Sequence, residues 1–295
     1  MFKSQEGEIL RKLGLGLLLL SLLFACGQEE AAEGGDDLTL NSVIAINDLP
    51  SVGPVSVKQT LMFSDDVMRS QVSTSISIAG EAQEILTVYI INLNEGNIYY
   101  VNDSDSTYVG MSFAEFDALL DEANPASDTA GAPLELLEDQ VRRKESEART
   151  ISPFGECVPV EFDLVLGSTG ENADYRSRMQ GQMWFSNSIE NAEVFKDFQE
   201  KAADRFKNAI AGNATFFGIA ASVNLNQGWF ETINQAIIGV PVEAEFKMTM
   251  PGKGETITYG MTMNLEDYTT ADIDESLLAV PAGYQEVSFS EFRMY

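Results

Sequence analysis

The side chains available for chemistry limit what this chain of 295 residues can do. It contains no histidine and only two cysteines, Cys26 and Cys157. Without histidine there is no Ser-His-Asp triad, no Cys-His pair and no imidazole ligand for zinc. Catalysis by acid-base chemistry would therefore have to come from carboxylates, of which the chain has 46.

The acidic residues form short runs, and none of these runs has the spacing of a metal site. Residues 102–106 place oxygens at alternate positions, as a calcium loop does, but Tyr108 stands where such a loop needs glycine and Ala114 where it needs glutamate. We therefore predict a hairpin turn there, and no metal or cofactor. A carboxylate pair for glycoside hydrolysis stays open, although no acid is singled out from the others.

Methionine is the residue type with the most informative spacing. Six of the 11 methionines fall on the apolar positions of alternating stretches, so they should face one interior: Met179, Met183, Met248, Met250, Met261 and Met263. A core filled by these flexible side chains is the first interpretation, because a sheet face must be buried against the helices in any case. The alternative, which stays open, is an apolar cavity for a lipid or acyl chain, since thioether side chains adapt to irregular partners.

The charge of the chain excludes one class of partner. Acidic residues outnumber basic ones by 46 to 18, and the net charge is -28. Nucleic acid binding is excluded, because it depends on Lys and Arg displacing counterions from phosphates. A hydrophobic content of 44% is sufficient for a folded core. Because anionic headgroups repel such a surface, attachment to a membrane would need a separate anchor.

The N-terminus has the pattern of a signal peptide over residues 1–25. Lys3, Arg11 and Lys12 flank a mostly apolar run over residues 13–25, which is shorter than the roughly 20 residues that a spanning helix needs. Residues 23–27, Leu-Phe-Ala-Cys-Gly, resemble the lipobox of bacterial lipoproteins. The resemblance implies a lipid on Cys26, and Gly27 implies sorting to the outer membrane of a Gram-negative cell. The alternative is a plain secretory signal.

Cleavage before Cys26 would leave a mature chain with a net charge of -29, made of an acidic, glycine-containing tether at 26–37 and a single domain at 38–295. Acyl chains on Cys26 would hold the protein at the membrane, since each buried methylene contributes about 0.8 kcal/mol. Cys157 would then have no disulfide partner within the chain. We expect it to be a small buried side chain; an exposed reactive thiol is the alternative.

Alternation of apolar and polar residues predicts several strands that present one face to a core. Two hairpins are expected, at residues 55–78 around Asp65 and Asp66 and at residues 240–265. Further strands are predicted at 85–91, 98–101, 108–111, 158–166 and 179–185. Four helices are predicted: one after the capping box at Ser112, one at residues 134–141, one at 191–211 and one at 229–238. The predicted fold class is α+β, with one large antiparallel sheet and helices over one face.

Several short motifs resemble those of uncharacterised bacterial exported proteins and lipoproteins. They lie at residues 94–101 (NEGNIYYV), 106–108 (STY), the lone Cys157, 181–186 (GQMWFS) and 280–284 (VPAGY). Members of this family look similar to the carriers that ferry lipoproteins across the periplasm. The resemblance implies a sheet curved into an open half-barrel, with helices covering its concave face and an apolar ligand bound there. No enzymatic activity follows from this resemblance.

These observations predict a lipid-anchored, non-enzymatic protein of the bacterial envelope, at the outer membrane and facing the periplasm or the surface. It is expected to bind a lipid, an acyl chain or an envelope protein partner. One alternative is a structural or assembly lipoprotein that docks a cationic partner through its acidic surface. A carboxylate-based hydrolase is the other.

Overall fold

In the computed structural model, one sheet of 14 strands dominates the described residues, which are 37–49, 53–78, 81–116, 118, 134–168, 176–205, 223–224, 239–251, 256–289 and 291–292. The strands are β1 (Leu38–Leu49), β2 (Gly53–Ser64), β3 (Val67–Ile78), β4 (Glu81–Asn92), β5 (Asn97–Asn102), β6 (Thr107–Ser112), β7 (Leu134–Arg143), β8 (Arg149–Ile151), β9 (Gly155–Ser168), β10 (Arg176–Ser186), β11 (Val223–Asn224), β12 (Val240–Pro251), β13 (Thr256–Thr269) and β14 (Gln285–Glu286). The longest described helix is α1 (Ala192–Arg205), and 3-10 turns lie at Glu145–Glu147 and Glu275–Leu277.

The sheet is open and almost wholly antiparallel. Its strand order is β11-β7-β9-β10-β12-β13-β1-β2-β3-β4-β5-β6-β14, with β8 added beside β9. Only the two-residue strands at the ends, β11 and β14, pair in parallel. The first strand lies in the middle, between β2 and β13. The chain therefore builds one half of the sheet outward from β1 and closes the other half back onto β1.

The predicted strands and both predicted hairpins are confirmed. On β2, Val55, Val57 and Phe63 are buried, while Ser56 and Lys58 between them are exposed. The same alternation runs through β9, β10, β12 and β13, so one face of the sheet is a continuous apolar surface. Because successive side chains point to opposite faces, the other face is mostly polar.

Helix α1 packs on the apolar face at β1, β2 and β12. The ring of Phe63 meets those of Phe195 and Phe198 edge-on, at centroid distances of 5.3 and 5.5 Å. These phenylalanines and the buried Ala202 follow the helical spacing that predicted the helix. The predicted continuation to residue 211 lies outside the described residues, as does the predicted helix at 229–238.

A helical turn at residues 113–116 follows β6, as the capping box predicted. The Glu115 amide donates to Ser112 Oγ at 3.3 Å, and the Ser112 amide donates to Glu115 Oε2 at 2.8 Å. Phe116 is fully buried beneath the turn. Residues 119–133 lie outside the described residues, so the described helices cover only part of the apolar face.

The predicted helix at residues 134–141 is wrong, because this segment is strand β7. It pairs with β9, and the register shifts between Leu136 and Glu138. This bulge switches the parity of the strand, so that Leu136 stands opposite Leu166 but Val141 stands opposite Phe162. Apolar residues on both sides of a bulge imitate helical spacing, which explains the wrong prediction.

The C-terminal strap, residues 284–289 and 291–292, wraps the edge strand β6. Tyr284 packs against a small apolar cluster on the second face, formed by Val88, Ile90 and Val101. Further on, the Val287 amide donates to the Tyr108 carbonyl at 2.9 Å, and Phe292 is buried in the main core. The strap thus crosses from one face of the sheet to the other and covers an edge that would otherwise be free to pair.

Gly181 on β10 lets two aromatic rings meet across its strand. Its partners in the register are Phe162 on β9 and Phe246 on β12, whose ring centroids are 5.8 Å apart. A Cβ at Gly181 would lie 2.1 Å from the Glu245 carbonyl oxygen and 2.5 Å from the Phe246 ring. The close approach of the neighbouring strand therefore requires glycine here.

We expect Gly181→Ala to lower the free energy of unfolding by about 1–3 kcal/mol, because a methyl group has no room in this packing. Urea unfolding followed by tryptophan fluorescence measures the change. Gly260→Ala is the matched control, since a Cβ at Gly260 on β13 meets only one atom, at 3.9 Å. Removing a strand glycine there should leave stability unchanged or raise it by about 0.5–1 kcal/mol. Equal effects of the two variants would contradict this account of Gly181.

Candidate functional site

The methionine face, which we define as Met179, Met183, Met248, Met261 and Met263, spans three adjacent strands. Met179 on β10 stands directly opposite Met248 on β12. Met183 and Met263 both stand opposite Ala244, one on each side of β12. All five methionine side chains are only 2–4% exposed. The register therefore brings five of the six predicted methionines together on the apolar face; the Met250 side chain lies outside the described residues.

Small and large side chains alternate across the methionine face. Ala244 lies between two long thioethers, and Gly181 lies between two phenylalanines. Among the buried side chains of the described part, Arg69 is the one charged residue, and it lies on β3 away from these strands. The methionine face is thus an uncharged and deformable surface that suits apolar groups.

Cys157 is a buried side chain, as predicted, at the start of β9. It is fully covered, and its Sγ lies 3.6 Å from the Gly155 carbonyl oxygen. Burial raises the pKa of the Cys157 thiol. Because thiolate is the reactive form, this environment suppresses nucleophilic and redox chemistry at Cys157.

Trp184 serves packing. It is half-buried against the main core, and the Arg149 guanidinium stacks 4.2 Å from its ring centroid. Arg149 also forms an ion pair with Glu243, which lies opposite Trp184 in the register. The other tryptophan, Trp229, lies outside the described residues.

Four of the described carboxyl groups have lowered pKa values. Arg178 donates to Asp163 from Nε at 2.7 Å and from Nη2 at 2.5 Å, and this lowers the pKa of Asp163. The pKa values of Glu115, Asp274 and Glu291 are also lowered, by hydrogen bonds from nearby serines. A general acid needs a raised pKa, which none of these four groups has.

The loop that resembles the start of a calcium site is a hairpin turn between β5 and β6, as predicted. Asn102 Oδ1 accepts hydrogen bonds from the amides of Ser104 at 2.9 Å and Asp105 at 3.3 Å. This is an Asx turn, in which the side chain closes the backbone. Within the described ranges, no group of three or more acidic or cysteine side chains is arranged to hold a metal ion.

The motifs behind the sequence resemblance have structural roles. Gly96 and Gly283 adopt positive φ angles of 72° and 88°, which side chains disfavour. Tyr284 packs on the second face and donates from its hydroxyl to Asp103 at 3.0 Å. Gly181 permits the aromatic contact across β10. These motifs therefore preserve turns and close packing, not a reaction centre.

A second candidate site, which the sequence interpretation missed, lies on the polar face. It is an open groove of about 850 Å³ across β7, β9, β10, β12, β13 and β1. Charged, amide and hydroxyl side chains line it, and Gly260 lies in its floor. The polar positions of these alternating strands could have indicated the groove from the sequence. Only the strand order, however, shows that these positions lie next to each other.

No helix in the described part of the chain is both long and apolar enough to cross a membrane. The predicted signal peptide, Cys26 and nearly all of the predicted tether lie outside the described residues. The last residue of that tether, Asp37, is bound to the fold: its Oδ2 accepts from the Ile273 amide at 2.6 Å.

A scan against protein-family models and a search of curated proteins both give no match. Among solved structures, the chain is similar to a domain described as an outer membrane lipoprotein-sorting protein from Vibrio parahaemolyticus, with 7% identity over 89% of this chain and 95% of that chain and a TM-score of 0.24. It is also similar to a porin-like protein from Bacteroides uniformis, with 8% identity over 82% of this chain and 99% of that chain and a TM-score of 0.25. A third similar structure is a DUF1329 family protein from Desulfovibrio piger, with 10% identity over 92% of this chain and 97% of that chain and a TM-score of 0.20. The TM-scores are low, so the proposals below rest on the residues of this chain.

The buried thiol predicts a pH dependence of stability. An unfolded cysteine has a pKa of about 8.5, and burial raises the pKa of Cys157 above its ordinary value. The folded state thus holds the proton more tightly, so the stability from this group is complete below about pH 8.5 and is lost as the pH rises towards the folded pKa. We expect the unfolding free energy to fall with pH in this window, and to fall less in Cys157→Ala. Urea titrations at several pH values test this, and parallel profiles for the two proteins would contradict it.

Proposed function

We propose that this protein binds an apolar ligand, a lipid or an acyl chain, on the methionine face of its sheet. The observation that supports this most strongly is the register, which places five methionines side by side on three neighbouring strands. Unbranched thioethers change conformation at low cost, so such a surface can repack around chains of different length. A surface of Leu or Ile would pack more rigidly.

The proposed binding mode places the ligand between the sheet and what covers it. In this mode the sheet is an open half-barrel, and helical segments, including α1, lie over its concave face. Because the methionine side chains are 2–4% exposed, a ligand enters only when covering groups move aside. Binding would then replace contacts within the protein by contacts with the acyl chain. Because the free protein regains its own contacts when the ligand leaves, binding is reversible.

The proposed location is the bacterial envelope, with the domain held by a lipid on Cys26. The tether residues from Cys26 to the bound Asp37 would span up to roughly 35–40 Å when extended. The anionic domain would stay off an anionic bilayer while remaining within reach of it. Neither part of this proposal requires catalysis, and we propose that the protein is not an enzyme.

One observation favours a second function, docking of a cationic partner. Residues 37–116, which form β1 to β6, contain ten acidic residues but only two basic ones, Lys58 and Arg69. Lys58 is exposed, Arg69 is buried, and Asp66 forms an ion pair with Lys201 of α1, so this half of the sheet presents many carboxylates and few basic side chains to pair with them. If the methionine face is a sealed core, this surface becomes the stronger candidate for function.

Ala244→Leu distinguishes a ligand site from a sealed core. If the methionine face holds a ligand, the added side chain occupies ligand space, so co-purifying lipid is lost while the free energy of unfolding stays the same or rises. If the core is sealed, the same change overpacks it and lowers stability by about 1–3 kcal/mol. Native mass spectrometry of the mature protein, with urea unfolding in parallel, measures both.

The matched control for that experiment is Ala45→Leu. Ala45 lies on β1 opposite Thr262, on the polar face of the same sheet, and is partly exposed. It should leave both lipid content and stability unchanged. A wild-type protein that carries no lipid, together with a destabilised Ala244→Leu variant, would overturn the proposed function.

Cys26→Ser tests the anchor separately. Expressed in the native host, the variant should leave the membrane fraction, because the acyl chains are the proposed source of membrane affinity. Immunoblots of separated fractions measure its distribution, with Cys157→Ser as the control that should stay with the membrane. If the Cys26→Ser protein remains membrane-bound, the domain itself binds the membrane and the anchor proposal is wrong.

A further inference from the structure

The polar groove on the outer face is built from two rows of side chains that cross six strands. The first row contains Gln140, Asp163, Gln180, Lys247, Gly260 and Asn47, each paired with the next in the register. The second contains Arg142, Glu161, Gln182, Glu245, Thr262 and Ala45. With neighbouring strands about 4.8 Å apart, each row is about 24 Å long. The groove therefore has the length of an extended oligomer.

Gly260 in the first row has no structural reason to be glycine. Its φ is not in the left-handed region, and a Cβ placed on it meets only the Phe246 carbonyl oxygen, at 3.9 Å. This contrasts with Gly181, where the neighbouring strand leaves no room. A mid-strand glycine that neither conformation nor packing requires is a position where a ligand can approach the backbone closely. Lys247 and Asn47 flank it on the adjacent strands.

The charges in the groove are balanced, unlike those of the chain as a whole. Asp163 is held by Arg178, and Glu161 forms an ion pair with Lys144. Of the remaining charged side chains in the two rows, Arg142 and Lys247 are positive and Glu245 is negative. A chain with 46 acidic and 18 basic residues thus presents a locally compensated surface here. Such a surface favours a ligand without net charge.

The hydrogen-bonding groups of the groove suit hydroxyl groups. The amides of Gln140, Gln180, Gln182 and Asn47 can each donate and accept, as a sugar hydroxyl can. One atom of two of these amides is already engaged, since Gln140 Oε1 accepts from Arg142 at 2.8 Å and Gln180 Nε2 donates to Asp163 at 3.0 Å. An extended peptide is a poorer fit, because it binds to sheets by pairing with a free edge. The central strands here, β9, β10, β12 and β13, are already paired on both sides.

We infer that this groove binds a neutral oligosaccharide, laid across the strands with one sugar close to the backbone at Gly260. The site is separate from the methionine face, since the two lie on opposite faces of the sheet. The inference therefore does not depend on the proposed lipid binding.

Isothermal titration calorimetry of the mature, lipid-anchored protein tests the inference, in a detergent without a sugar headgroup. The probes are maltohexaose and chitohexaose, and we expect the wild-type protein to bind at least one. Gly260→Leu should weaken that binding tenfold or more, because the side chain fills the floor of the groove, while the melting temperature stays the same. Gln71→Leu, also exposed in mid-strand but on β3 outside the groove, should bind like the wild type.

Gln180→Ala provides a second variant, in case Gly260→Leu lowers the melting temperature. It removes one amide from the first row and should weaken binding severalfold. The inference is overturned if neither neutral sugar binds, or if both groove variants bind like the wild type. Binding of a heparin hexasaccharide in place of the neutral sugars would also overturn it, because the ligand would then be an anion held by Arg142 and Lys247.

Discussion

A single wide sheet has one apolar face to bury, and this constraint governs the rest of the structure. In the described part of the chain, strands supply most of the hydrophobic core, and α1 contributes five side chains to it: Ala192, Val194, Phe195, Phe198 and Ala202. The stability of the fold thus depends on strand register, because a slip by one residue would turn every buried side chain to the polar face. Turn residues such as Gly96, at a φ of 72°, and the capping box at Ser112 hold that register locally.

The second constraint is the edges of an open sheet. At one end, the two-residue β11 pairs with β7 at Leu134 and Glu135, and β7 itself carries five charged residues among its ten, which disfavours pairing with another chain. At the other end, the C-terminal strap adds β14 beside β6 and buries Phe292 in the core. Charged side chains thus protect one edge of the sheet, and the C-terminal strap protects the other.

Period-two alternation predicted the strands and the two long hairpins because it depends only on which side chains face the core. It was misleading at β7, where the bulge beside Leu136 brings apolar residues to helical spacing. The sequence also identified the methionines as one group, since each follows the parity of its strand. It did not reveal that Met183 and Met263 adjoin Ala244, because that depends on the order of strands far apart in the chain. The polar groove was missed for the same reason: its rows join residues from 45 to 262.

The two strand glycines show how the packing of a sheet distinguishes a glycine with a structural role from one with a proposed functional role. Gly181 and Gly260 both lie inside alternating strands, Gly181 between Gln180 and Gln182 and Gly260 between Tyr259 and Met261. In the structure, Gly181 is required, because a Cβ would lie 2.1 Å from the next strand. At Gly260 the space above the backbone is open, and the residue costs the strand some stability without a compensating contact. A glycine that packing requires is evidence about the fold. A glycine that packing does not require indicates that a ligand occupies the space where a side chain would be. In this protein that space belongs to a polar groove on one face, while the deformable apolar surface belongs to the other, so one sheet offers two chemically different candidate sites.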